Sequence, residues 1–382
     1  MFKKILILYL TIIISFHCTV AKAQLCPGAQ SAILIETSSN TVIYEKNSRQ
    51  RLPMASTTKI MTALCAIEQG DLDKQVTADN RAVGVEGSSI YLTKGEILTL
   101  RDLIYGLMLH SGNDAAVAIA CEISGSSEDF AKLMNDTAKK IGALDTNFEN
   151  PNGLDGKNHY TTAYDLAIIT SYALKNPEFA KIVSTYKTTI PSLNTKERYL
   201  KNHNKLLRLY EGCTGVKTGF TKKSGRCLVS SARKDNTELV AVTLNDGNDW
   251  NDHMQMLDYG FENTHTRLLI KKGDYMCRVM IDKGTSDTAD ILCGEDVYIT
   301  EVYGKASPCK IEYDIPKKIK APVQYGQQTG NITIHYGNNK QFTIPAISSV
   351  MIAKKPAFPT GVNFVKLLKL WLEPRKFEQH MP

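Results

Sequence analysis

Strand-like patterns sit at both ends of the first 262 residues, and helical ones fill the space between them. Ser31 to Tyr44 alternates apolar and polar residues around the polar centre Thr37-Ser38-Ser39-Asn40, which predicts a hairpin. Ser56 to Gln69 puts Ile60, Leu64 and Ile67 on one stripe of a helix. Leu100 to Leu109 and Ala115 to Ile123 are also helical, with Ser111-Gly112-Asn113-Asp114 between them as turn and cap material. Phe130 to Ile141 and Ala163 to Leu174 complete the helical middle. After Gly212 the period changes to that of strands, over Thr214 to Thr218, Cys227 to Arg233 and Leu239 to Leu244. The region is therefore of mixed α+β class. Beyond about Phe261, short β-rich runs (Tyr275 to Ile281, Asp296 to Val302, Ile332 to Tyr336) are separated by Gly, Asp, Asn and Pro and predict a small all-β domain.

A chain of 382 residues with 43% hydrophobic and 22% charged residues can bury two such domains. Its net charge of +7 is diffuse, and neither zinc-finger spacing nor an RNA-binding motif accompanies it, so nucleic acid is not an expected partner. At the N-terminus, Lys3 and Lys4 precede an apolar run from Ile5 to Phe16, and Ala21-Lys22-Ala23 supplies a signal-peptidase site. The run is shorter than the ~20 residues a membrane-spanning helix needs, which favours a cleaved signal over an uncleaved anchor. Residues 1–23 are thus read as a signal peptide and Gln24 as the first mature residue, which makes this an exported protein. Ser15-Phe16-His17 is a poor match to the small-residue box of a lipoprotein, so Cys18 is not read as lipidated. Its removal leaves eight of nine cysteines. Cys65 and Cys121 fall in helical apolar patterns as buried thiols, while Cys277, Cys293 and Cys309 leave room for one disulfide.

Three short motifs carry the chemistry. In Ser56-Thr57-Thr58-Lys59, helical spacing puts a hydroxyl and an amine on one face. A serine hydroxyl is a weak nucleophile until a base takes its proton. Lysine serves as that base only if burial or a nearby cation lowers its pKa well below the usual ~10.4. Ser111-Gly112-Asn113 offers a second hydroxyl for proton relay and an amide for positioning. Lys217-Thr218-Gly219 lies on a predicted strand; its ammonium can hold a carboxylate and help depress Lys59, and Gly219 lets a ligand backbone approach. Singly, each has a plainer account: Ser56 as a helix N-cap, Asn113 as a turn residue, Lys217 as a solvated strand lysine. Their joint occurrence, in this order and in an exported chain, reverses that reading. Rival chemistries lack their parts. There is no H-E-x-x-H for a zinc peptidase, no G-x-S-x-G elbow, and no E-x-x-L-N run between Ser111 and Lys217 for a class A β-lactamase.

The runs Ala55 to Ala63, Leu109 to Ala116 and Gly215 to Thr221 resemble the D-alanyl-D-alanine carboxypeptidases, the low-molecular-weight penicillin-binding proteins. Gly87-Ser88-Ser89, His159-Tyr160-Thr161-Thr162-Ala163 and Leu257-Asp258-Tyr259-Gly260-Phe261 are similar to the same family, so the likeness runs through nearly all of residues 25 to 262. The resemblance implies the penicilloyl-serine transferase (β-lactamase/transpeptidase-like) fold, an antiparallel sheet flanked by helices, followed by the small all-β domain. It implies a metal-free enzyme without cofactor that removes the terminal D-alanine from peptidoglycan pentapeptide stems and is acylated by β-lactam antibiotics. In that scheme Ser56 attacks, Lys59 is the base and Ser111 relays the proton. Asn113 positions the substrate, Lys217 and Thr218 bind the terminal carboxylate beside Gly219, and the backbone N–H groups of Ser56 and Phe220 form the oxyanion hole. Where this family often has Asp, the chain has Thr214, and Cys213 and Cys227 flank the third motif without being required there. They are read as small strand residues, with a redox-sensitive site as the alternative. A relative that keeps the fold but only binds penicillin or peptidoglycan, with slow or no turnover, is the alternative for the whole chain; the intact motifs argue against it.

The expected domains are residues 24–262 for catalysis, 263–355 for the β domain and 356–382 for a tail. Phe364 to Glu373 is amphipathic as a helix, with Lys366, Lys369 and Glu373 opposite a wide apolar face. At ~1.5 Å per residue it reaches roughly half of a ~30 Å hydrocarbon core, so it would lie in the interface. Docking on the β domain is the alternative; the family's habit of anchoring by such a tail points to the outer face of the cytoplasmic membrane, at the cell wall.

Overall fold

The computed structural model describes residues 25–303, 309–336 and 340–356. The expected signal peptide and tail helix lie outside the described residues. The chain divides into two compact units, one holding residues 25–267 and 299–303, the other 268–298 and 309–356.

The first unit begins with the expected hairpin, β1 (Ser31–Glu36) and β2 (Thr41–Lys46). A 3₁₀ turn at Ala55–Thr58 leads into α1 (Lys59–Gln69). The small pair β3 (Gln75–Thr77) and β4 (Ile97–Thr99) precedes four helices: α2 (Leu100–Leu109), α3 (Asn113–Ser124), α4 (Ser127–Ile141) and α5 (Ala163–Leu174). Then come α6 (Pro177–Ser184), the hairpin β5 (Lys187–Ile190) and β6 (Arg198–Lys201), and the single turn α7 (Leu206–Leu209). The chain ends its sheet with β7 (Cys213–Thr221), β8 (Gly225–Lys234) and β9 (Thr237–Leu244), followed by α8 (Asp249–Glu262). The five-stranded sheet is antiparallel, in the order β2-β1-β9-β8-β7. Its register pairs Ser31 with Leu244, two residues from opposite ends of the unit.

The sheet is covered on both faces, and the strands show it. Every residue of β1 is buried, because Ile33 and Ile35 join the core formed with α1 to α6 while Ala32 and Leu34 join Met256 and Leu257 of α8. The polar alternation expected there is confined to β2. Helix starts follow capping chemistry: the hydroxyls of Thr99, Ser126 and Thr162 accept the N–H of Asp102, Asp129 and Asp165 at 3.1, 3.0 and 3.0 Å. Asn113 and Asp114, expected in a turn, form the first turn of α3 behind Gly112.

Helix α8 is not evident from periodicity, because three of its buried residues are polar. Asp249, Asp252 and His253 are all buried. His253 lies between Ser230 Oγ at 2.6 Å and Thr243 Oγ1 at 3.0 Å, and burial pushes its pKa down to about 3, so it serves as a neutral core residue.

After β10 (Thr264–Ile270), which pairs with β13 (Val297–Val302), the second unit holds β11 (Tyr275–Asp282), β12 (Thr288–Cys293), β14 (Cys309–Asp314), β15 (Lys318–Lys320), β16 (Gln328–Tyr336) and β17 (Lys340–Ser348). These six form a sheet in the order β14-β16-β17-β12-β11-β15. Val279, Ile291, Val323, Ile332 and Ile334 form its core. Cys277 and Cys293 are free thiols, so the disulfide anticipated in this region is not made.

Helix α8 approaches the sheet through Gly260, where an added Cβ would lie 2.5 Å from Leu239 Cδ1 and 2.7 Å from Leu34 Cδ2. Gly260→Val therefore overpacks this contact and is expected to cost about 1–3 kcal/mol. Thermal unfolding of the purified variant checks this; an unchanged Tm would contradict the close approach.

Candidate active site

The first motif straddles two kinds of helix. Ser56 lies in the 3₁₀ turn and Lys59 opens α1; Ser56 is not the N-cap, a position held by Met54 without a side-chain bond. Ala55, just before it, has φ of 47°, a left-handed conformation that is costly for a residue with a Cβ. Local bonds hold the turn. Thr57 Oγ1 donates to Met54 O at 2.6 Å, and Thr58 Oγ1 donates to Ala55 O at 2.8 Å. His159 Nδ1 accepts the Glu149 N–H at 3.0 Å, so the ring proton is on Nε2, which donates to Thr58 Oγ1 at 2.8 Å. Burial pushes His159 down to about 4, which keeps this ring neutral at neutral pH.

Lys59 is fully buried. Its three protons meet three acceptors: Ser56 Oγ at 2.9 Å, Asn113 Oδ1 at 2.7 Å and the Asn152 carbonyl at 2.5 Å. Burial, then the charge of Lys217, lowers its pKa well below that of an ordinary lysine, with Asp114 acting in the opposite sense. Once neutral, the amine keeps two protons for the Asn113 and Asn152 oxygens and turns its lone pair to the Ser56 hydroxyl. Burial beside a second cation acts in the direction that the sequence reading asks of this lysine.

The second motif is fixed from both ends of its amide. While Asn113 Oδ1 faces Lys59, its Nδ2 donates to Glu86 O at 2.5 Å and its backbone N–H donates to Ser88 O at 2.7 Å. Gly87, with φ of 92°, passes so close that a Cβ would lie 2.7 Å from Asn113 Nδ2. Asp114 holds the same loop, accepting from Ser89 Oγ at 2.6 Å, Ile90 N at 3.0 Å and Leu92 N at 2.9 Å. Ser111 adopts φ of 60° at the junction of α2 and α3.

The third motif lies on β7, alongside the 3₁₀ turn. A Cβ on Gly219 would come within 3.1 Å of Ser56 N and 3.2 Å of Met54 O, so glycine permits the strand to run beside the turn. Lys217 is buried, donates to Thr218 O at 2.8 Å, and is pushed by burial down to about 7. Phe220 is 66% exposed at the edge of the cleft.

Ser56, Ser111, Thr218, Gly219 and Phe220 line one cleft of about 310 Å³, with Lys59, Asn113 and Lys217 buried behind it. Sequence reasoning did not anticipate several other contributors to this region. The Asn152 carbonyl comes from an Asn150-Pro151-Asn152-Gly153 turn, whose composition is itself a turn signal. His203 lines the cleft from the loop after β6, Arg226 from β8 and Trp250 from α8, and nothing in their local sequence marks them. Arg226 pairs with Asp249 through two bonds, 3.1 Å from Nε and 2.7 Å from the terminal nitrogen, and sits 5.6 Å from the Trp250 ring. Burial pushes the thiols of Cys213 and Cys227 up to about 11, so neither is the reactive thiolate that a redox-sensitive site needs. Thr214 is satisfied by Ser231 Oγ at 2.7 Å. Among the described residues, no group of three or more His, Cys, Asp or Glu is placed to hold a metal ion.

A serine hydroxyl beside a buried lysine amine, in an open cleft between a helix start and a sheet edge, defines a serine acyl-transfer hydrolase. Comparison with known proteins narrows the class. The family model described as D-alanyl-D-alanine carboxypeptidase matches residues 19–248, and that of the penicillin-binding protein 5 C-terminal domain matches residues 265–354. The D-alanyl-D-alanine carboxypeptidase DacF of Bacillus subtilis is 36% identical over 321 residues, 82% of each chain. DacC of Escherichia coli is 30% identical, over 80% of this chain and 79% of that protein. Penicillin binding protein 5 from Haemophilus influenzae superposes with a TM-score of 0.64 at 29% identity, covering 88% of this chain and 100% of that structure. The chain belongs to the D-alanyl-D-alanine carboxypeptidase family and is a peptidase of the penicillin-binding fold.

The turn carrying Ser56 rests on Gly153, where φ is 87° and a Cβ would lie 2.0 Å from Ala55 O. Gly153→Ala is expected to displace the nucleophile and slow acylation by a fluorescent penicillin by about 100-fold. Stopped-flow labelling measures it, and acylation at the wild-type rate would refute this role for the loop.

Proposed function

We propose that the protein is a serine-type D-Ala-D-Ala carboxypeptidase that removes the terminal D-alanine from peptidoglycan pentapeptide stems through an acyl-enzyme at Ser56. The observation that carries this reading is the 2.9 Å contact between Ser56 Oγ and the buried Lys59 amine. Neutral Lys59 takes the hydroxyl proton as Oγ attacks the carbonyl carbon of the D-Ala-D-Ala bond. The N–H groups of Ser56 and Phe220 receive the developing oxyanion. Ser111 passes a proton to the departing amine, and D-alanine leaves. Asn113 holds Lys59 and the substrate in register, while Lys217 and Thr218 bind the terminal carboxylate over Gly219. A bound carboxylate favours the charged form of Lys217, opposing the effect of burial. Water then attacks the acyl-enzyme and regenerates Ser56. A β-lactam antibiotic enters by the same attack and remains as a covalent inhibitor.

The same reading assigns residues 1–23 to an export signal, 24–262 to catalysis and 263–355 to the β domain. Residues 356–382 become an interfacial anchor at the outer face of the cytoplasmic membrane. The lysine pair near the N-terminus, the apolar run after it and the amphipathic Phe364 to Glu373 support this placement.

Ser56→Ala is expected to abolish both D-alanine release from a pentapeptide and covalent labelling by penicillin. Labelling of the wild type without release would instead assign a binding role, and the absence of both labelling and release would overturn the enzymatic reading. The pH profile follows from Lys59: protonated it cannot act as base, so kcat/KM falls as pH drops through its lowered pKa. The ascending limb is therefore expected well below the ordinary lysine value of 10.5. A limb at or above that value would exclude Lys59 as the base.

A further inference from the structure

A second cavity, of about 450 Å³, adjoins the catalytic cleft, and His203 lines both. Its walls are His110, His203, Tyr186, Lys201, Lys205 and Arg208, and no carboxylate is among the described residues that line it. The parts are ordered. The rings of His110 and His203 stack with centroids 5.5 Å apart. His110 Nε2 accepts the Lys201 N–H at 3.0 Å, which places its ring proton on Nδ1 and fixes the ring beside Ser111. Burial holds both imidazoles below the usual histidine range, so they form a neutral aromatic wall at neutral pH.

The positive charge comes from the other side chains. Lys201 and Arg208 flank the Tyr186 ring, at 5.8 and 5.3 Å from its centroid. Lys205 stands 5.9 Å from the ring of Trp250, which itself lines the catalytic cleft. A cationic, aromatic-walled path thus runs from the cleft into the cavity. Cations that rest on neutral rings rather than on carboxylates keep their charge available to a ligand. On the proposed reading Lys217 and Thr218 take the terminal carboxylate, which leaves these cations for a different anionic group.

We infer that this cavity is a second substrate subsite, which receives a carboxylate of the peptide other than the terminal one. This rests on the carboxypeptidase reading and deepens it: the enzyme distinguishes peptides with the same D-Ala-D-Ala end by the charge they carry further along.

The test compares two peptides ending in D-Ala-D-Ala that differ only in whether a glutamate residue upstream carries a free carboxylate or an amide. Wild-type kcat/KM is expected to favour the free carboxylate by about fivefold, the scale of an exposed charge pair. The preference should disappear in Lys201→Ala/Arg208→Ala while release from the amide peptide stays at the wild-type rate. It should also fade in the wild type as NaCl is raised to about 0.5 M, a readout that stands even if the double variant misfolds. Equal rates on the two peptides, or a preference that survives both the variant and salt, would overturn the subsite. Should neither peptide release D-alanine, the parent reading fails on its own. The subsite is then judged by equilibrium binding to Ser56→Ala, where equal affinity for the two peptides overturns it.

Discussion

The buried ammonium site of Lys59 ties the catalytic region together. Its hydrogen bonds go to a hydroxyl from the 3₁₀ turn, an amide oxygen from α3 and a backbone carbonyl from the loop at 150–154. All three acceptors are neutral. A carboxylate in their place would hold the lysine protonated and useless as a base, whereas neutral acceptors satisfy its donors without restoring its ordinary pKa. Asp114 is adjacent in sequence to Asn113, but its hydrogen bonds go to the loop at 89–92 instead. One acidic residue is thereby spent on backbone positioning, and the amine keeps the environment its chemistry needs.

The geometry around that site is maintained against local preference. Ala55 and Ser111 both occupy the left-handed region, and Gly153 does so in contact with the turn. For Ala55 and Ser111 this costs of order 1–3 kcal/mol each and persists because the surroundings fix it, whereas glycine at 153 adopts the region freely. Here the surroundings are identifiable: the His159–Thr58–Ala55 chain of hydrogen bonds holds one turn, and the Asp114 fan holds the loop that Asn113 leans on. Residues far from Ser56 in sequence thus determine where its hydroxyl stands.

Much of this was legible because three motifs combine residue type with spacing. Ser56, Lys59, Ser111, Thr218 and Gly219 could be named because their chemistry is explicit in their side chains. Asn152 and Gly153 were not, since one acts through a carbonyl and the other through the absence of a Cβ. Helices α2 and α5 were readable from period alone, and the hairpin from its polar turn at Thr37 to Asn40. Helix α8 was not, because its buried His253 and aspartates are satisfied by partners elsewhere and break the apolar stripe. The polar alternation read into β1 likewise gave way to a strand covered on both faces, a fact about neighbours rather than about the strand itself.

The strand order has a consequence for when the enzyme comes into being. Because Ser31 pairs with Leu244, joining β1 to β9 closes a loop of about 200 residues, a slow step that local helix formation cannot replace. Lys59 and Ser56 are made early in synthesis, but Lys217 arrives more than halfway along the chain and β9 later still. Shorter nascent chains hold a serine and a lysine without the buried neighbour and the strand that complete their site. Hydrolytic competence therefore waits for the last strand of the sheet, and chains that stop short of β9 lack part of the framework that holds the cleft.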